Sequence, residues 1–355
     1  MQRARVSLAS IARACGLSVS AVCRALKNDR RIPPSTRLRI RQAAARLGYR
    51  ADPRISEAFS RVARANRDHY LETLAYLTFH DRPISAGGTD YREGLFAGAR
   101  IYAESLGYRL EEFWTRTPGM TYRRLAAILR SRGIRGCLLS VCPVDTNDLV
   151  LPWDRFACVS FSYTLRSPEL HRALPFHYGN IRRAIAEAAQ AGYRRVGLVL
   201  ERAQNRRLIF ALQAGYLSEA KERAGLAFAP ILELDGLDHA RELVSWVRRH
   251  RLDLVIASHH EMLPALQAGG VAVPRDAGFI DLGSGRSVPG ISHIDQQPGE
   301  VARAGVDLLS AMLLSGETGV PAHPRLLLVP GMWRQGGTTR PAQPGAAGSA
   351  VAGQH

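Results

Sequence analysis

The sequence predicts a small all-α helix-turn-helix headpiece at the N-terminus, followed by an α/β core of two lobes. Three observations carry that prediction. Two short amphipathic segments within residues 7–27 are joined by a glycine turn. Residues 1–70 hold sixteen Lys and Arg against four Asp and Glu, so this module carries twelve of the chain's seventeen net positive charges. From Thr73 onward, apolar strand-like runs alternate with helical patterns in two successive series.

In the headpiece, Ser7 can cap a first helix on which Leu8, Ile11, Ala12 and Cys15 share one face. Gly16 ends it, because glycine leaves a helix through a left-handed conformation at little cost. Ser18 can cap the second helix. Ala21, Val22, Ala25 and Leu26 form its buried face, and Val19, Ser20, Cys23, Arg24 and Lys27 its outer one. Ile32-Pro33-Pro34-Ser35 stops the chain and restarts it, since proline suits a first helical turn. Ile40, Ala43, Ala44 and Leu47 then repeat at helical spacing, with Arg37, Arg39, Arg41 and Arg46 opposite and Gly48 as the stop. Small and basic groups facing out from the second helix, inside a concentrated positive field, point to a duplex nucleic acid as partner.

Val6-Ser7-Leu8, Ile11-Ala12, Cys15-Gly16-Leu17-Ser18, Val22-Cys23-Arg24-Ala25-Leu26, Thr36-Arg37, Ala43-Ala44 and Leu47-Gly48-Tyr49-Arg50 follow one another without gaps. This pattern resembles the N-terminal signature of the LacI/GalR family of bacterial transcriptional regulators. The resemblance implies a DNA-binding headpiece, a hinge and a periplasmic-binding-protein-like core. It implies that Val19, Ser20 and Arg24 read base edges, and that Ser7, Ser18, Thr36 and Tyr49 contact phosphates. Lys27 and Arg54 can add phosphate contacts. A homodimer on a near-palindromic double-stranded operator follows, because one headpiece covers one half-site. The family's hinge leucine falls on Ala58, which is too small to wedge base steps apart.

The expected layout is a headpiece at 1–50, a hinge at 51–72, a core at 73–339 and a disordered Pro/Gly/Ala-rich tail at 340–355. The first lobe is expected at 73–176 and 291–318, and the second at 177–290 and 319–339. Strands are expected at 74–79, 108–114, 136–141 and 156–161, then at 196–200, 231–234, 252–257, 278–282, 291–295 and 325–329. One helix is expected from Arg207 to Arg223. No leader-like apolar segment follows Met1, and no run reaches membrane-spanning length, so a cytoplasmic, nucleoid-associated protein without membrane contact is expected. The five cysteines are irregularly spaced and show no metal-ligand pattern, so neither a metal nor a cofactor is expected. His259-His260 are expected to point to opposite sides of a strand end.

The cleft between the lobes is the expected ligand site. The residues with which sugar-binding members of the family grip their ligand fall here on Leu212, Ile280, Ser258 and Gly179-Asn180. The usual sugar grip is therefore not expected. Two readings remain: a different effector held by groups such as Phe79, His80, Tyr91, Tyr163, Arg207, His259 and Gln296, or a core that serves only dimerisation. No nucleophile elbow, P-loop or ligand set points to catalysis. A two-lobed small-molecule binder without DNA binding would share the core, but would need an export signal and have no use for the basic headpiece.

Overall fold

The structure, a computed structural model, describes residues 8–17, 22, 25, 32–47, 72–84, 91–143, 149–165, 167–236, 239–283 and 289–341. The predicted hinge through residue 71, the hinge position Ala58 and nearly all of the predicted disordered tail lie outside them.

The headpiece packs as its periodicity requires. A helix spans Leu8–Cys15, and Gly16 follows at φ 64°. The Leu17 N–H donates to the Ala12 carbonyl at 3.0 Å, which satisfies a carbonyl the helix end would otherwise orphan. Pro34 begins the Pro34–Leu47 helix. Ile11, Ala12, Val22, Ala25, Ile40, Ala43 and Ala44 form one small core. Leu47, expected in the same stripe, is instead 39% exposed.

The first lobe is a six-stranded parallel sheet in the order β12-β5-β4-β3-β1-β2. Its strands are β1 (Glu72–Thr78), β2 (Tyr108–Trp114), β3 (Gly136–Leu139), β4 (Ala157–Ser160), β5 (His171–Pro175) and β12 (Leu326–Val329). Alternate side chains serve opposite faces, as the strand period of two dictates. Leu74, Tyr76, Leu138 and Val159 enter a core beneath the helices Tyr91–Ser105 and Pro298–Ser315. Ala75, Leu77, Cys137, Leu139 and Cys158 enter the core on the other face, with Leu125 and Leu129 of the Tyr122–Ser131 helix. A Cβ on Gly98 would sit 2.7 Å from the Gly299 Cα, so a bare backbone lets the first two helices meet.

The second lobe has seven strands: β6 (Arg195–Glu201), β7 (Ala227–Phe228), β8 (Leu232–Leu234), β9 (Leu254–Ala257), β10 (Gly278–Asp281), β11 (Ser292–Asp295) and β13 (Met332–Arg334). Their order is β13-β11-β10-β9-β6-β7, with β8 also on β6. All pairs are parallel except β11 with β13. Val196, Leu198, Ile256 and Ile280 face one core, and Val199, Val255 and Phe279 the other.

Three expectations are corrected here. Residues 291–295 pair with β10 and so belong to the second lobe, while 326–329 pair with β5 and belong to the first. The crossing therefore comes at Gln297, which takes φ 52°, immediately before the Pro298–Ser315 helix. A four-residue apolar run fits either sheet, and only the pairing partner decides. The single helix expected over 207–223 is two, Arg202–Arg207 and Ala211–Glu222. Ile209 and Phe210 break it at φ 51° and 61°, a conformation strained for a β-branched residue. Ala211–Glu222 then packs on His177–Gln190, where a Cβ on Gly215 would meet the Tyr178 carbonyl at 2.7 Å. Finally, β9 ends at Ala257, so His259 and His260 do not sit on a strand. Both approach the Glu261 carboxylate, at 3.8 and 3.4 Å.

Three crossings connect the lobes and are tied to one another. Phe176 donates its N–H to the Val329 carbonyl at 2.8 Å. Gly331 donates to Asn180 Oδ1 at 2.7 Å, and Gln297 Nε2 to the Pro330 carbonyl at 2.7 Å.

Candidate functional site

The headpiece presents its arginines as its helical periodicity requires. Burying Ile40, Ala43 and Ala44 leaves Arg39, Arg41 and Arg46 on the solvent side of the Pro34–Leu47 helix. Thr36 lies in the first turn of that helix, partly buried. Ser7, Ser18, Val19, Ser20, Arg24, Lys27, Tyr49 and Arg54 lie outside the described residues.

Between the lobes lies a cavity of about 90 Å³. One water needs roughly 10–15 Å³ by this measure, so the space suits a small metabolite. Tyr91, Val141, Phe161, Ser162, Tyr163, Leu174 and Pro175 line it from the first lobe. His177, Gln204, Arg207, Leu208, Gly283 and Gln296 line it from the second.

Local sequence explains how these groups arrive. Tyr91 and His177 are the first residues of their helices. The Glu201 carboxylate caps the Arg202–Arg207 helix by accepting from the Ala203 and Gln204 N–H groups at 3.2 and 2.8 Å. That helix then carries Gln204 and Arg207 three residues apart on one face. Gln296 is fixed by donating Nε2 to the Leu282 carbonyl at 2.6 Å. Ser162 and Thr164 share a 2.6 Å hydrogen bond.

Several polar atoms are buried without partners. Tyr91 Oη, His177 Nδ1 and Gln204 Oε1 have none among the described residues. Burial holds His177 well below the ordinary imidazole range, at about 4, and the Arg207 cation adds to this. His177 is therefore neutral near pH 7. Burial also lowers the basicity of Arg207, an effect the Glu201 carboxylate opposes. Burial pushes the Tyr91 phenol up, so it stays protonated.

Of the seven effector-site candidates read from the sequence, the cavity brings together Tyr91, Tyr163, Arg207 and Gln296. Phe79 is packed in the first lobe's core instead. His80 points its Nε2 to the Val141 carbonyl at 3.0 Å. His259 stands off the cavity lining, with Nε2 3.8 Å from Glu201. His177, Gln204 and Ser162 escaped the sequence reading. The signal for His177 is its place just after β5, a five-residue run whose sequence does not stand out as a strand. Leu212 and Ile280 are buried in the second core, and Ser258 Oγ accepts from the Glu201 N–H at 2.9 Å.

No curated protein matches the sequence significantly. The family model described as bacterial regulatory proteins, lacI family, matches residues 7–52, and that of a periplasmic binding protein-like domain matches 185–339. Among solved structures, the chain is similar in fold to a transcriptional regulator CelR–cellobiose complex. That match has 19% identity and a TM-score of 0.58, and covers 94% of this chain and 100% of that one. It is similar to the lac repressor dimer bound to operator and the anti-inducer ONPF, at 15% identity and a TM-score of 0.53, over 95% and 99% of the two chains. A LacI-family regulatory protein from Chloroflexus aggregans matches at 17% identity and a TM-score of 0.57, over 75% and 98%. Among the described residues no helix is long and apolar enough to cross a membrane. With the lacI-type headpiece at one end and the periplasmic-binding-protein-like core at the other, the chain belongs to the LacI family of DNA-binding transcriptional regulators.

Proposed function

We propose that the chain is a dimeric repressor whose headpieces read a near-palindromic operator, and whose cleft takes a small metabolite that alters operator affinity. The observation that carries this reading is the set of unpartnered polar atoms in the cavity wall, drawn from both lobes: Tyr91 Oη from the first, His177 Nδ1 and Gln204 Oε1 from the second. Unmade buried hydrogen bonds cost free energy, so a wall that keeps three of them favours a polar occupant. An occupant touching both lobes favours the lobe arrangement that it fits, which is the differential affinity a switch requires. The other reading, a core that only dimerises, gives no role to those atoms.

At the operator, Arg24 grips a guanine by O6 and N7, Val19 touches a thymine methyl, and Ser20 adapts to its base edge. Ser7, Ser18, Lys27, Thr36, Tyr49 and Arg54 hold phosphates and set register. The likeness to a repressor dimer on its operator supports repression and two-fold assembly. Such a protein acts in the cytoplasm, on the chromosome.

The test is a genome-wide footprint of the full-length protein beside Arg24→Ala. The expected sites are short and near-palindromic. The variant is expected to lose about 1–3 kcal/mol of discrimination at one base pair per half-site, while keeping weak, salt-sensitive binding. Sites without two-fold symmetry would overturn the dimeric reading, and unchanged selectivity would remove Arg24 from base recognition.

A further inference from the structure

The cavity carries an unbalanced charge. Among its described lining residues Arg207 alone is formally charged at neutral pH, and no Asp or Glu lines the wall. Arg207 makes no hydrogen bond or ion pair within 4 Å among the described residues; the nearby Glu201 acts on it only at longer range. The chain matches charges elsewhere in the same lobe. Glu219, almost fully buried, is paired with both Arg182 and Arg223. A partly buried guanidinium left without a carboxylate is costly, and such a site retains it to receive a counter-charge from outside.

The surroundings favour the same sign of ligand. The His177–Gln190 helix begins at the cavity, with no side-chain cap and no acidic residue in its first turn. Its positive end thus adds to the Arg207 field. The guanidinium fork matches a carboxylate or phosphate in a bidentate pair. Gln204 Oε1 accepts only, so its partner must donate, as a hydroxyl does. Tyr91 Oη and His177 Nδ1 can serve further hydroxyls. A neutral hexose would leave Arg207 unpaired.

We propose that the cleft selects a small hydroxylated anion, with its carboxylate or phosphate on Arg207 and its hydroxyl groups on Gln204, His177 and Tyr91. This inference rests on the metabolite-responsive reading above and narrows it to one ligand class.

Thermal unfolding of the full-length protein at constant ionic strength tests it, with malonate, inorganic phosphate or glucose added at equal concentration over chloride. Wild-type protein is expected to gain about 2–4 °C or more with an anion that fits, because a ligand of the folded state raises its stability. Arg207→Met is expected to lose that gain. Arg207→Lys, which keeps the charge without the fork, is expected to keep part of it and serves as the comparison if the Met variant fails to fold. A gain with malonate alone assigns a carboxylate, and a gain with phosphate alone assigns a phosphorylated compound. No Arg207-dependent gain with either anion overturns the inference. Stabilisation by glucose that survives in Arg207→Met also overturns it, yet leaves a metabolite-responsive regulator standing. Loss of the regulator reading itself would show in the operator footprint, not in these unfolding curves.

Discussion

His177 shows how burial and one neighbouring cation decide what a side chain does in the cleft. Held neutral down to about pH 4, it offers hydrogen bonds without charge beside Arg207. The shift has a consequence for stability. Between about pH 4 and the ordinary imidazole value near 6.5, the unfolded chain binds a proton at this site that the folded chain does not. Stability therefore falls as pH drops through that window and is untouched by this group above it. His177→Gln is expected to reduce the loss of thermal stability across that window, by roughly 3 kcal/mol at most. Equal slopes for variant and wild type would show that His177 takes up its proton as readily in the folded chain. The sequence exposed part of this site. Tyr91, Tyr163, Arg207 and Gln296 could be picked out as polar or aromatic groups near predicted element ends. Phe79 could not be separated from them by pattern, because one residue of strand register decides whether a ring faces a core or a cleft. His177 opens a helix and Gln204 lies within the short Arg202–Arg207 helix, and the apolar periodicity marks neither of these boundaries.

At the scale of elements, the headpiece core is small enough for one residue to matter. Ile40 is fully buried against Ile11, Val22 and Ala25. Ile40→Ala removes three carbons from a packet with little else to close the gap, at a cost of about 2–5 kcal/mol. Loss of operator binding is expected at temperatures where the main unfolding transition, which belongs to the α/β lobes, is unchanged. A variant that binds DNA normally on warming would show that the lobes, not this core, limit the headpiece. The headpiece and the strand-helix alternation were legible because their apolar periods are short-range. What stayed hidden depended on distant partners. The exchange of 291–295 and 326–329 between sheets follows from pairing with β10 and β5, residues far off in sequence. The break at Ile209 and Phe210 runs against an apolar pattern that continues through it.

Over the whole molecule, charge and ligand chemistry are divided between two ends. Twelve of the seventeen net positive charges lie within residues 1–70, which gives fast, salt-dependent approach to duplex phosphates. The cleft lies among crossings that are hydrogen-bonded to one another at Phe176, Gly331 and Gln297. A ligand that shifts one lobe relative to the other loads all three crossings together. Under the proposed function, these crossings are where a small molecule in the cleft would act to change operator affinity. The most direct measurement is binding of purified full-length protein to its footprinted operator at low ionic strength, against excess random duplex. A DNA-reading headpiece with this charge is expected to give a discrete complex that survives the random competitor and weakens steeply with added salt. Equal displacement by operator and random duplex would contradict it.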